Sequence, residues 1–78
     1  MKTEDKKYVI FGERLSQTMY KKNISNVQLA EKMYVSPSTV SGYRTGRRSP
    51  SVNELAVIGQ ILDVSVDFLI GNTDTDRK

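Results

Sequence analysis

VSPSTVSGYRTGRRSP, residues 35–50 of a 78-residue chain, decides how the remainder is read. It is small and hydroxyl-rich, holds two Pro and two Gly and ends in a basic cluster, so by composition it passes for a linker. A linker here would leave two helical fragments, each too small to fold alone. Ser36-Pro37, however, is a helix start: a hydroxyl N-cap followed by Pro at the first helical position, where a missing N–H is harmless. Val40 and Tyr43, at i and i+3, then become its inward contacts, with Tyr43 expected to be half-packed against Val40. Gly46 stands where a left-handed residue closes a helix. The stretch therefore predicts a helix from Pro37, followed by an exposed connector of Arg47, Arg48, Ser49 and Pro50. Its poor helix formers Ser38, Thr39, Ser41 and Gly42 are expected to form an outer face that is kept small.

Working outward, Phe11, Leu15 and Met19 recur every fourth position and predict a first helix over Tyr8 to Lys22, with Glu13, Arg14, Gln17 and Lys21 largely off the apolar face. Asn23 tolerates the left-handed conformation that ends a helix, and Lys21-Lys22 suit the negative end of its dipole. Ser25 and Gln28 have capping-box spacing and open a second helix with Leu29, Ala30 and Met33 as its buried stripe. With only about two turns before Tyr34-Val35, that helix depends on packing. Downstream, Ser51 and Glu54 form another capping box. Val52, Leu55, Ala56, Ile58, Gly59 and Leu62 follow in the most apolar helix of the chain, expected to be the central and most buried one. Ser65, with Asp67 in the first turn, opens a short last helix of Val66, Phe68, Leu69 and Ile70 that stops at Gly71. The expected fold is all-α: a compact five-helix domain over residues 8–71, a flexible arm of mixed charge over 1–7, and a polar, frayed tail over 72–78.

Composition removes many functions. Without Cys or His there is no disulfide, no zinc finger and no thiol or imidazole nucleophile. Ser, Lys and Asp occur, but no spacing assembles an activated nucleophile, so an enzyme is disfavoured and no metal or cofactor is expected. No apolar stretch has signal-peptide or membrane-spanning length, which makes a cytoplasmic location the simplest expectation. The net charge of +3 is unevenly spread. Residues 1–50 hold ten Lys/Arg against four Asp/Glu, or +6, while residues 51–78 hold two against five, or −3. A basic first part beside an acidic second part suits a domain that meets a polyanion with one side.

The second and third helices are separated by a turn of about three residues, too tight for antiparallel packing and right for a steep crossing, which is a helix-turn-helix. In such a motif the second helix enters the DNA major groove, and bulky outer side chains would hold it away. SNVQLAEKMYVSPSTVSGYRTGRRSPS together with LDVSVDFLIGN, residues 62–72, resembles the lambda-repressor-like, Cro-type helix-turn-helix family over about residues 9–71. The resemblance implies five helices, binding of duplex DNA by a homodimer on a palindromic operator, and regulation of transcription, most simply repression of the phage or mobile-element kind.

Residue by residue, the resemblance puts base-reading positions on Pro37, Ser38, Thr39 and Gly42. Only Ser38 and Thr39 carry a group that bonds to a base edge, and Gly42 would permit close approach. Backbone contacts fall to Asn26, the counterpart of a phosphate-clamping Gln, and to Ser36, Pro37, Tyr43, Arg44, Arg47 and Arg48. Val66 and Phe68 are the implied dimer contacts. With so few base readers, the shape of the operator and contacts from the arm residues Lys2, Lys6 and Lys7 or from Arg44 are expected to contribute to specificity. Ser36, Ser51 and Ser65 also read simply as caps, Lys21, Lys22 and Lys32 as solvated, and Phe68 as core. Three departures from the family stand out: Tyr34 and Asp63 occupy usual Gly positions, and Met19 with Arg44 replaces a usual Arg–Glu pair. The alternative function is a protein-interaction module, an antitoxin or antirepressor-binding domain.

Overall fold

In a computed structural model, which describes the backbone of residues 6–77 and side chains from residue 8 onward, five helices and no strand are present among the described residues. They are α1 (Lys6–Lys22), α2 (Asn26–Met33), α3 (Pro37–Thr45), α4 (Val52–Leu62) and α5 (Val66–Leu69). The expected all-α architecture and the helical identity of residues 37–45 are therefore observed. Helix α1 begins two residues earlier than its apolar periodicity indicated, so Lys6 and Lys7 belong to its first turn.

Local chemistry explains each boundary. Ser25 Oγ accepts from Gln28 N (3.1 Å) while Gln28 Oε1 accepts from Ser25 N (2.8 Å), and Ser51 with Glu54 repeats the reciprocal box at 3.0 and 2.8 Å. Ser36 and Ser65 cap α3 and α5 through Thr39 N and Phe68 N. At the C-terminal ends, Asn23, Tyr34, Asp63 and Gly46 all take the left-handed conformation, with φ of 60°, 60°, 57° and 82°. Tyr34 thus takes the left-handed conformation that glycine adopts most easily, at a cost for an L side chain of about 1–2 kcal/mol.

The core joins Phe11, Leu15 and Met19 of α1 to Leu29 and Ala30 of α2, Val40 and Tyr43 of α3, Ile58 and Leu62 of α4, Val64, and Leu69 of α5. Two expectations are corrected. Helix α4 is not the most enclosed: Val52 is 82% exposed, Ala56 is exposed, and only Ile58, Gly59 and Leu62 are buried. Its apolar residues run round more of the helix than the core can cover, whereas α1 packs on α3, α4 and α5. Close approach of α1 and α3 is possible because Gly12 lacks a side chain. A Cβ there would lie 2.7 Å from the Arg44 carbonyl oxygen and 2.8 Å from that of Tyr43.

The second correction concerns residues 72–77. Ser65 N donates to the Asp76 carbonyl (3.0 Å) and Asn72 N to that of Asp67 (2.8 Å). Arg14 donates to the carbonyls of Thr73 (2.6 Å) and Phe68 (3.0 Å) and pairs with Asp74 at 3.1 Å. Its guanidinium also lies 4.3 Å from the Phe68 ring centre. The segment has no periodicity because it is a strap tied to α1 and α5, and Arg14 is a tether rather than a solvated side chain.

Candidate nucleic-acid interface

The tight turn Tyr34-Val35-Ser36 joins α2 to α3 and leaves the first residues of α3 outward: Pro37 and Ser38 are exposed and Thr39 is half-buried. Ser36 Oγ accepts from Thr39 N and lies 3.0 Å from Ser38 Oγ and 3.1 Å from Thr39 Oγ1. These three hydroxyls form one cluster at the positive end of α3. Rotation of a hydroxyl leaves Ser38 and Thr39 free to exchange that bond for one to a base edge or phosphate.

Two of the residues expected at the interface lie elsewhere. Gly42 is buried, not on the outer face: the Arg48 stem lies over it, with Arg48 Cβ 3.1 Å from where a Gly42 Cβ would be, and Arg48 N donates to the Gly42 carbonyl at 3.1 Å. The glycine admits the returning connector, so it does not serve approach to a ligand. Tyr43 is fully buried, not half-packed, and edge-on to Phe11 with ring centres 5.9 Å apart, so it touches no external backbone. Its hydroxyl is buried close to Glu54 and Arg48 but makes no well-aligned hydrogen bond among the described residues. Burial first, then the nearby Glu54 carboxylate, push its pKa from 10.0 up to about 12, with Arg48 opposing. Glu54 is held below the usual carboxylate range, chiefly by the Ser51 backbone N–H, with Tyr43 and Arg48 assisting.

Asn26 and Arg44, named separately from the sequence, are brought together. Arg44 Nη1 donates to Asn26 Oδ1 at 2.5 Å, and its Nε donates to Ser16 Oγ at 3.0 Å. Arg44 therefore crosses from α3 to α1 and α2 instead of standing free. Ser16 and Arg14 were missed because their partners lie 28 and 54 to 60 residues away, a separation with no local pattern to betray it. Arg47 is exposed and its Nε donates to Thr45 Oγ1 at 3.2 Å, while Lys22 and Lys32 are exposed. Over residues 20–50, six Lys/Arg stand against one Asp/Glu, so the positive potential is concentrated on α2, α3 and their flanks.

At the other end, Val66 and Phe68 are only partly covered, Phe68 between the core and Arg14. Lys2 lies outside the described residues, as do the side chains of Lys6 and Lys7. No group of His, Cys, Asp or Glu suited to a metal occurs among the described residues, and none of their helices is long and apolar enough to cross a membrane.

The crystal structure of ClgR, the clp gene regulator of C. glutamicum, is similar to this chain with a TM-score of 0.76 and 29% identity, covering 85% of this chain and 86% of that one. The HTH-type transcriptional activator BcrR of Enterococcus faecalis is 33% identical over 82% of this chain and 31% of its own length. The HTH-type transcriptional regulator AnsR of Bacillus subtilis is 36% identical over 76% of this chain and 51% of its own. The uncharacterized HTH-type transcriptional regulator YobD of the same organism is 32% identical over 83% and 58%. The chain thus spans between about a third and three-fifths of these relatives. A helix-turn-helix family profile matches residues 17–69, which contain α2, the turn, α3 and the closing helices. On the turn geometry, the profile and the shared fold, this chain belongs to the Cro-type helix-turn-helix family.

Proposed function

We propose that the chain is the DNA-binding unit of a transcriptional regulator, acting in the cytoplasm as a homodimer that represses by occupying a palindromic operator. The observation that carries the reading is the presentation of the α3 start. Ser38 and Thr39 stand at the start of α3 beside the turn, Asn26 opens α2, and exposed Arg47 follows α3, within a stretch of sequence where positive charge dominates. Ser38 and Thr39 serve base edges, and Pro37 fills the N-terminal position of α3 against the groove. Ser36 holds the hydroxyl cluster, and Asn26 and Arg47 serve phosphates. Val66 and Phe68, each partly uncovered, form the self-association contact, which places half-sites about 10 to 10.5 base pairs apart between centres.

Arg47 and Arg48 divide the work of the connector. Arg47 carries an exposed charge, and Arg47→Ala is expected to weaken cognate and random duplex alike while lowering the salt slope by about 0.9. Arg48 covers Gly42 and acts on Glu54, so Arg48→Ala is expected to cost stability as well. The decisive experiment is selection from a random duplex pool followed by titration at several salt concentrations. A chain that retains no duplex at low salt refutes the proposal.

A further inference from the structure

We infer that Arg44 is a positioning residue for DNA: it fixes the Asn26 amide so that only the NH2 side is presented to a backbone phosphate. The inference rests on the reading of the chain as a DNA-binding unit.

Arg44 leaves the last turn of α3, and both it and Asn26 are half-buried. Its Nε bond to Ser16 and Nη1 bond to Asn26 use two donors of one rigid plane on partners from two other helices. Such two-point attachment fixes the plane, which a single rotatable ammonium would not do. The ion pairs found among the described residues belong to Arg14 and Lys21, and Arg44 takes neutral oxygens as partners.

An untethered Asn amide presents its oxygen or its nitrogen with similar ease, but a phosphate only accepts hydrogen bonds. With Oδ1 held by a charged donor, Nδ2 and its two hydrogens are the remaining polar face of Asn26. The backbone agrees with that polarity. The capping box uses the N–H groups of Ser25 and Gln28, leaving those of Asn26 and Val27 without an intrahelical partner at the positive end of α2. An open groove of about 840 Å³, lined by Lys21, Ser25, Gln28 and Arg44 among others, adjoins this end. The first residue of α2 therefore offers side-chain and main-chain donors together, and Arg44 selects the amide orientation that makes them act alike.

The test uses binding to a random-sequence duplex, where phosphate contacts dominate, for the wild type, Arg44→Lys, Asn26→Ala, their double variant and Asn26→Asp. Arg44→Lys keeps the charge but loses the two-point fork. Releasing one fixed side chain corresponds to an affinity loss of about three- to tenfold, with the salt slope unchanged. The double variant is expected to bind no more weakly than Asn26→Ala. Asn26→Asp retains an acceptor for Arg44, so it is expected to melt no lower than the wild type, yet it turns a carboxylate toward phosphate and binds more than about tenfold weaker. This variant carries the test if Arg44→Lys fails to fold. Wild-type affinity in Arg44→Lys, losses that multiply in the double variant, or undiminished binding by Asn26→Asp would each overturn the inference while DNA binding stood. A wild-type chain that binds no duplex would overturn the DNA-binding reading first and this inference with it.

Discussion

Replacing Tyr34 by Gly tests the turn on which the helix-turn-helix depends. Tyr34 sits at φ 60° and ψ 42°, and its side chain is 94% exposed, so truncation forfeits almost no burial. Its N–H donates to the Ala30 and Glu31 carbonyls, and a glycine keeps both bonds. Relief of the left-handed strain is worth about 1–2 kcal/mol, against about 0.4–1 kcal/mol for the greater freedom that glycine gives the unfolded chain. The two ranges leave a net gain of about 0–1.6 kcal/mol, centred on about 0.8 kcal/mol, or about 3 to 6 °C in Tm for a domain of this size. Thermal and urea melts followed by circular dichroism measure it, with an unchanged m-value locating the effect in the turn and not in residual structure. Asn23→Gly, at the same φ, is the internal comparison and is expected to gain less, because Asn adopts this conformation more readily. A Tyr34→Gly variant that melts lower than the wild type, or gains less than Asn23→Gly, refutes the reasoning and shows that the ring makes contacts that stabilise the turn.

Two further perturbations probe the packing behind the interface. Gly12→Ala sets a Cβ 2.7 Å from the Arg44 carbonyl and 2.8 Å from that of Tyr43. Both are main-chain atoms, so α1 and α3 must separate. The overpacking cost of about 1–3 kcal/mol exceeds the helix-propensity gain of about 1 kcal/mol. Lower Tm is the expected result, and an unchanged Tm would mean that the helices are farther apart. For Tyr43, the raised pKa means that the folded chain holds its proton more tightly than the unfolded chain. Its contribution is complete below pH 10.0 and is lost as pH rises toward about 12. That loss amounts to about 2–3 kcal/mol. Denaturant titrations across this range should show Tyr43→Phe losing less stability than the wild type. Parallel alkaline profiles for the two chains would contradict the account.

Helix boundaries were legible because they are local. Ser25 with Gln28, Ser51 with Glu54, Ser36 before Pro37, and Gly46 each specify a cap within four residues, and the caps sit where the sequence puts them. The core stripe of Phe11, Leu15 and Met19 follows from helical periodicity alone. The family was legible for the same reason, since its motif is a short turn between two capped helices. Which side chains face a ligand was less local. Gly42 is small in either setting, and only the return of Arg48 across it decides that it faces the connector. Helical spacing puts Tyr43 on the inward side but leaves undecided whether it is a half-exposed contact or a core residue, until Phe11 closes over it. Arg44 and Asn26 lie 18 residues apart on separate helices, and Arg14 reaches the strap 59 residues away. Long cationic side chains are free to choose among many oxygens, and their sequence positions carry no record of the choice. The sequence by itself determined where helices start, stop and bury a stripe, because those depend on neighbours along the chain. Only the tertiary structure decided which polar groups meet, because that depends on neighbours in space.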